Sequence, residues 1–218
     1  MGIAATPFMP VSDVYVGWVS SLGTPTLLDC WSPDYLQPQP DTAQGGRSDT
    51  TLLAAFESNG GTTMQFTRRL VTGDSRDVTV TNGTLSLLWA YNTQDGVGAQ
   101  YSKHVATGSA RVVFWGNSDA SGSGPSVPTG PVASNSTQLA AIVARVPQFN
   151  SSSGNLKAWW SINASSGEFT LTMQGRTNGW ISFGFGDTPL MVDADMMVSL
   201  ICRYSIVSQF FGRNATLS

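Results

Sequence analysis

Apolar and polar residues alternate along much of the chain with a period of two, which is typical of half-buried β-strands. The alternation is clearest in DVYVGWV at residues 13–19 and in GEFTLTM at residues 167–173. Shorter apolar runs at residues 109–116, 156–162 and 179–185 also favour strands. Because turn-forming residues separate these segments at roughly 8–12-residue spacing, the pattern predicts an all-β, immunoglobulin-like antiparallel β-sandwich.

Two Asn-Gly pairs predict tight hairpins, since both residues tolerate the positive φ that two-residue β-turns require. The first pair lies in the middle of residues 52–70 (LLAAFESNGGTTMQFTRRL) and the second within residues 78–90 (VTVTNGTLSLLWA). Residues 137–146 (TQLAAIVARV) fit a helix or a strand equally well.

A Gly/Ser/Pro-rich segment at residues 117–134 has no apolar periodicity and predicts a flexible linker. It separates residues 1–116 from residues 135–198, and the last residues, 199–218, differ in character from both segments.

An internal repeat relates the two segments. TPFMPVSDVYV at residues 6–16 aligns with TPLMVDADMMV at residues 188–198, with Thr, Pro, Met, Asp and the last Val at equal positions. The chain therefore has the order of a second half of a repeat unit followed by a first half.

Charge and hydropathy argue against nucleic-acid binding and against a membrane-spanning helix. Charged residues make up 11% of the chain and the net charge is -3, so no basic cluster is present to neutralise nucleic-acid phosphates. A run of about 20 apolar residues, as a membrane-spanning helix needs, is also absent from the sequence.

The composition is that of an exported protein, although the first residues lack the basic and apolar regions of a signal peptide. Five Asn-x-Ser/Thr acceptors predict a secreted glycoprotein. They are Asn82, Asn135, Asn150, Asn163 and Asn214. Cys30 and Cys202 are far apart in the sequence, and their spacing alone does not establish a disulfide.

Several motifs, taken in order, resemble the DOMON family of extracellular β-sandwich domains. A first-half pattern follows the linker and a second-half pattern precedes it. The first-half motifs are Trp159-Trp160, GWISFGF at 179–185, Met191 and Asp195. The second-half motifs are Met9, Asp13, Gly17-Trp18, DCW at 29–31, FTRRLVTGD at 66–74, Asp77, WAY at 89–91 and His104.

The resemblance implies that residues 1–116 are the C-terminal part of a DOMON-like sandwich and residues 135–198 the N-terminal part. Either the two parts complete one circularly permuted sandwich across the linker, or the chain is a fragment of a tandem array. We favour completion, because a half-sandwich would expose a wide apolar face and unpaired strand edges.

DOMON relatives that bind haem b hold the iron with a Met and a His, and the matching residues here are Met9 and His104. Met191 competes with Met9 for this role if the chain closes as a permuted domain. Such a ligand pair saturates the iron and suits electron transfer. The resemblance thus implies haem-based electron transfer with a redox partner domain or a membrane reductase in a longer parent protein.

The alternative is a carbohydrate-binding or adhesive extracellular module without redox activity, or a truncated gene product. Trp31 and Trp180 are the candidate rings for stacking against a sugar, with Trp115, Trp159 and Trp160 as further candidates. In addition, three aspartates crowd residues 187–195, where turns and caps are a simpler explanation than Ca²⁺ binding.

The sequence does not favour an enzyme. Metalloprotease, P-loop and nucleophile-elbow motifs are absent, and the single histidine excludes the multi-histidine sites of copper monooxygenases. We therefore expect a binding or electron-transfer domain that is secreted or located in the lumen of the secretory pathway.

Overall fold

The computed structural model describes residues 12–33, 36–115, 142 and 148–186. These residues form eleven β-strands and one short 3₁₀ helix, Asp41–Gln44. The strands are β1 Ser12–Val19, β2 Pro25–Ser32, β3 Gln39–Pro40, β4 Thr51–Ser58, β5 Gly61–Arg69, β6 Gly83–Tyr91, β7 Ala106–Trp115, β8 Phe149–Asn150, β9 Leu156–Asn163, β10 Glu168–Gly175 and β11 Ile181–Gly186. The described part of the chain has no helix with the length and apolar character needed to cross a bilayer.

The strands form two antiparallel sheets, which confirms the predicted all-β sandwich. The first sheet has the order β3-β2-β1-β11-β6-β7, and the second has the order β4-β5-β10-β9-β8. Strand β11, which follows the linker in the sequence, lies between β1 and β6, which precede it. Strand β10 likewise pairs with β5. Each sheet therefore combines strands from both sides of the linker.

The inward faces of the two sheets enclose the main core. Alternate residues of β1 and β11, such as Tyr15, Phe183 and Phe185, are fully buried there with ring contacts to the second sheet. A stacked pair, Phe114 and Trp160, joins β7 to β9 with ring centroids 4.9 Å apart. Because large aromatic rings bury much apolar area and prefer such offset or edge contacts, this core links the strands on either side of the linker.

A second, smaller apolar cluster lies on the outward face of the first sheet. It contains Val14, Val16 and Trp18 of β1, together with Cys30, Ala90 and Trp180. Strand β1 is consequently buried on both faces, with every residue from Ser12 to Val19 below the surface. The segment between β6 and β7 covers this outer face, and there it forms the candidate site.

One of the two predicted hairpins is confirmed and the other is wrong. Asn59 and Gly60 form the turn between β4 and β5 with φ of 51° and 72°. Residues 78–82, in contrast, do not form a strand, and β6 pairs with β7 and β11 instead. The backbone of Val78 is engaged by the side chains of Asp13 and Arg68, so it cannot pair with β6.

The sequence pattern did not predict three of the strands, β2, β3 and β8. The prediction for residues 137–146 lies outside the described residues except at residue 142, and so do the linker and residues 199–218. The assignment of residues 1–116 and 135–198 to the two parts of a DOMON-like sandwich stays a prediction.

Candidate functional site

A cavity of about 410 Å³ lies on the outward face of the first sheet. Its floor is formed by β1, β6 and β11, and its walls by the segments around residues 36–38 and 101–104. The lining residues are Ser12, Val14, Val16, Leu36, Gln37, Pro38, Ala90, Tyr101, Ser102, Lys103, His104, Trp180 and Ser182. A cavity of this volume is in the range that binds small molecules and cofactors.

The floor is apolar because of the alternation seen in the sequence. Val14 and Val16 point outward from β1, while Asp13 and Tyr15, which alternate with them, point inward between the sheets. Cys30 of the neighbouring strand β2 packs into the same outer cluster, and burial raises the pKa of its thiol. Cys202 lies outside the described residues, so the question of a disulfide with Cys30 stays open.

The β6–β7 segment is fastened to the start of β11 by several hydrogen bonds. The Trp180 indole Nε1 donates to the Ser102 carbonyl at 3.1 Å, and the Trp180 backbone N–H donates to Gln94 O at 3.2 Å. Gly179 lies against this segment so closely that a Cβ there would be 2.4 Å from the Asn92 carbonyl oxygen. The wall that carries His104 is therefore held in place by backbone contacts.

A second wall is held by Tyr101. Its hydroxyl donates to the Pro38 carbonyl at 2.9 Å, and Gln37 Nε2 donates to the Ala99 carbonyl at 3.0 Å. The Tyr101 ring meets the Trp180 ring edge to face, with centroids 5.3 Å apart. Burial raises the pKa of the Tyr101 hydroxyl above its ordinary value.

His104 is half-buried and lines the cavity, next to the exposed Lys103. The cavity thus offers an apolar floor, one imidazole and one ammonium group at its edge. Met9 and Met191, the two candidate partners of His104, lie outside the described residues. Ser12 lines the cavity and pairs with Gly186 in the β1–β11 ladder, so the chain leaves toward both methionines from one edge of the cavity.

The tryptophans considered for sugar stacking differ in position. Trp180 lines the cavity, but only 2% of its surface is exposed. Trp31 is 7% exposed and does not line the cavity. Trp159 is buried and Trp160 stacks on Phe114 in the core. The side chain of Trp115 and residues 187–195 lie outside what the structure describes.

A buried polar network lies between the two sheets, on the opposite face of β1 from the cavity. The Arg68 guanidinium donates to Asp13 Oδ2 at 2.8 Å, to the Tyr15 hydroxyl at 2.5 Å and to the Val78 carbonyl at 2.8 Å. Arg68 also forms an ion pair with Asp77, with 3.6 Å between a guanidinium nitrogen and Asp77 Oδ2. Asp13, Arg68 and Asp77 belong to the family pattern in the sequence, but the pattern does not predict that their side chains meet.

The carboxyl groups of this network are hard to ionise because of their burial. Burial raises the pKa of Asp13 to about 8 and that of Asp29 to about 6. Asp41, in the 3₁₀ helix, has a pKa raised to about 8 by burial and by the charges of Asp29 and Asp13. The network therefore holds more acidic groups than Arg68 alone neutralises.

Comparison with known proteins gives one match. Residues 1–92 match the model of the DOMON domain, a range that includes β1 to β6 and Arg68 but ends before His104. No curated protein and no solved structure matches the chain. DOMON domains are ligand-binding modules that are typically extracellular, and they are not clearly catalytic in themselves. This match supports the resemblance to the DOMON domain family for residues 1–92.

Proposed function

We propose that the cavity on the first sheet binds haem b and that the domain transfers electrons. The observation that carries the proposal is the position of His104. The chain's single histidine lines an apolar cavity, and the two methionines that the family pattern singles out are tethered to that cavity's edge.

The residues of the cavity suit a flat, largely apolar macrocycle with acidic substituents. Val14 and Val16 of β1 and Ala90 of β6 provide an apolar floor on either side of β11. Lys103 supplies a positive charge at the opening, where a propionate would gain a charge-assisted contact. His104 would hold the iron through a ring nitrogen.

The length of the chain allows either methionine to be the second ligand. Met9 is three residues before Ser12 in the sequence, and Met191 is five residues after Gly186. We favour Met9, because its shorter tether restricts it more closely to the cavity.

A haem held by His and Met is six-coordinate and supplies one-electron transfer at a raised potential. The protein's own part is to exclude water with the apolar floor and to fix the His104 wall through Trp180. The electrons would come from, or go to, a partner domain or a membrane reductase. We place the domain in the extracellular space or the lumen of the secretory pathway.

Haem titration tests this proposal. The purified chain is mixed with haem, and its absorption spectrum is recorded before and after reduction with dithionite. We expect sharp α and β bands on reduction, which His104→Ala abolishes. Met9→Leu and Met191→Leu identify the second ligand, and Met173→Leu, a core methionine, is the control. A wild-type spectrum identical to that of free haem would contradict the proposal.

A second candidate is a sugar ligand in the same cavity. It is favoured by the aromatic pair Trp180 and Tyr101 beside the polar side chains of Gln37 and Ser182. Against it, the small exposed fraction of Trp180 leaves little ring face for stacking, and Trp31 lies elsewhere. Glycan binding that Trp180→Ala abolishes, in a protein that gives no haem spectrum, would favour this candidate.

A further inference from the structure

The buried network around Arg68 brings together three aspartates from distant parts of the chain. Asp13 belongs to β1, Asp29 to β2 and Asp77 to the segment between β5 and β6. One carboxylate oxygen of each lies within 4.8 Å of the other two. This spacing matters because a Ca²⁺ ion lies roughly 2.3–2.6 Å from each oxygen that binds it. A single ion can therefore bridge all three.

Most of the oxygens at this point have no hydrogen-bond partner. Asp13 Oδ2 accepts bonds from Arg68, Tyr15 and Val78, while Asp13 Oδ1 has no partner. Asp29 is similar, because Oδ2 accepts a bond from the Asp49 backbone N–H and Oδ1 accepts none.

Asp77 is the clearest case. Its side chain is 1% exposed, and neither of its oxygens accepts a bond with hydrogen-bond geometry, although the Thr72 hydroxyl is near enough to lower its pKa. Its ion pair with Arg68 is 3.6 Å long, and a buried carboxylate that accepts no hydrogen bond costs several kcal/mol unless it is protonated or closely bound by a cation.

Asp41 adds an independent observation. It is fully buried, both of its oxygens are unpartnered, and the charges of Asp29, Asp13 and Asp77 act on it. The fold has therefore buried a fourth carboxyl group beside the first three. Arg68 contributes one positive charge to this group, so a divalent cation would reduce the net charge of four ionised carboxylates and Arg68 from −3 to −1.

We propose that Asp13, Asp29 and Asp77 bind one calcium ion, with Asp41 as a fourth carboxylate beside it. The donors are oxygens only, which suits Ca²⁺ and does not suit Zn²⁺ or Cu²⁺, for which histidine and cysteine are preferred. Calcium accepts six to eight oxygens in flexible geometry, whereas Mg²⁺ requires a near-ideal octahedron and retains water. This site is separate from the cavity and does not depend on haem binding.

The position of the site gives it a structural role. An ion there would join β1, β2 and the segment after β5, three parts of the chain that meet between the two sheets. Asp13 also lies between Ser12 and Val14, which line the cavity on the other face of β1. Calcium would thus fix the strand that forms the cavity floor.

Calcium titration of the full chain, after treatment with a chelator, tests the proposal. We expect one Ca²⁺ per chain by calorimetry. We also expect a rise in melting temperature of about 5 °C or more when calcium is about a hundred-fold above its Kd. Asp29→Asn and Asp77→Asn should each weaken binding at least ten-fold. Glu57→Gln removes one charge near the end of β4, opposite Thr62 at the start of β5 and roughly 20 Å from Arg68, and should bind as the wild type does.

Terbium luminescence provides a measurement on the wild type that does not depend on the folding of any variant. Tb³⁺ in the calcium site should be excited through Tyr15, whose hydroxyl is 3.1 Å from Asp13 Oδ2, and calcium should displace it. The proposal is overturned if the folded, chelator-treated wild type shows no calcium heat, no stabilisation and no calcium-displaceable terbium signal. It is also overturned if both aspartate variants bind calcium like the wild type.

Discussion

Gly184 of β11 lies so close to Asp13 of β1 that a Cβ on Gly184 would be 2.5 Å from the Asp13 carbonyl oxygen. Gly184 is paired directly with Val14 in the ladder between the two strands. A side chain at this position would force apart two central strands of the first sheet. Strands β1 and β11, which lie on opposite sides of the linker in the sequence, can therefore pair in this way only because residue 184 has no side chain.

We predict that Gly184→Ala lowers the free energy of unfolding by about 1–3 kcal/mol, the usual cost of inserting a methyl group where no space exists. Urea denaturation followed by tryptophan fluorescence measures the change. Ser182→Ala, two residues earlier on the same face of the same strand, serves as the control and should change stability much less. Equal stability of the Gly184→Ala protein and the wild type would show that the two strands can separate without cost.

Arg68 should contribute more to stability than any exposed arginine. Its side chain is 0% exposed, and removing it would leave Asp13 and Asp77 buried without their cationic partner. We predict that Arg68→Met destabilises the calcium-free protein by about 3–5 kcal/mol. The neighbouring Arg69→Met, at an exposed position, is the matched control and should change stability by less than about 0.5 kcal/mol. Comparable unfolding midpoints for the two variants would contradict this prediction.

The interleaved sheets predict that the two segments fold only together. When residues 1–116 and 135–218 are produced as separate chains in the same cell, we expect a soluble complex, because β11 must enter between β1 and β6. Either segment produced alone should be insoluble or lack a cooperative unfolding transition. Co-purification through a tag on one chain, followed by circular dichroism, measures this. Cooperative folding of either segment by itself would support separate domains instead.

Three of the predicted glycosylation sites, Asn82, Asn150 and Asn163, are exposed in the structure. We expect that expression through a secretory pathway adds glycans at these positions, because an exposed acceptor is within reach of the transferase. Mass spectrometry before and after glycosidase treatment, with Asn→Gln variants at each position, measures the occupancy. Unmodified asparagine at all three positions in secreted protein would contradict the prediction.

The strands that the sequence predicted correctly are those in which alternation and turn chemistry agree. The β4–β5 hairpin is an example, because Asn59 and Gly60 adopt the positive φ that their residue types allow. Strand β2 was missed because it begins with a proline and places Asp29 toward the inside, where alternation predicts an apolar residue. At residues 78–82 a strand-like pattern was overruled by tertiary contacts to Asp13 and Arg68.

The two sites differ in how much the sequence could reveal. His104 was a candidate because it is the single histidine and matches the family pattern, and the structure places it at a cavity. The proposed ligand roles of Met9, His104 and Met191 stay predictions. The Arg68 network could not be predicted, because Asp13, Asp29 and Asp77 are brought together only by strand pairing and sheet packing. The available signal was the presence of acidic residues at inward-facing strand positions.

The pairing of Ser12 with Gly186 has a mechanical consequence. The polypeptide enters β1 and leaves β11 at the same end of these two neighbouring antiparallel strands, in the middle of the first sheet. Tension between the two flanking segments would act along the interstrand hydrogen bonds, which run perpendicular to the strands. The bonds would be loaded one after another, as in a zipper, and would not resist together as they do when strands are sheared. In a string of such domains under load, the β1–β11 seam is where we expect each sandwich to open first.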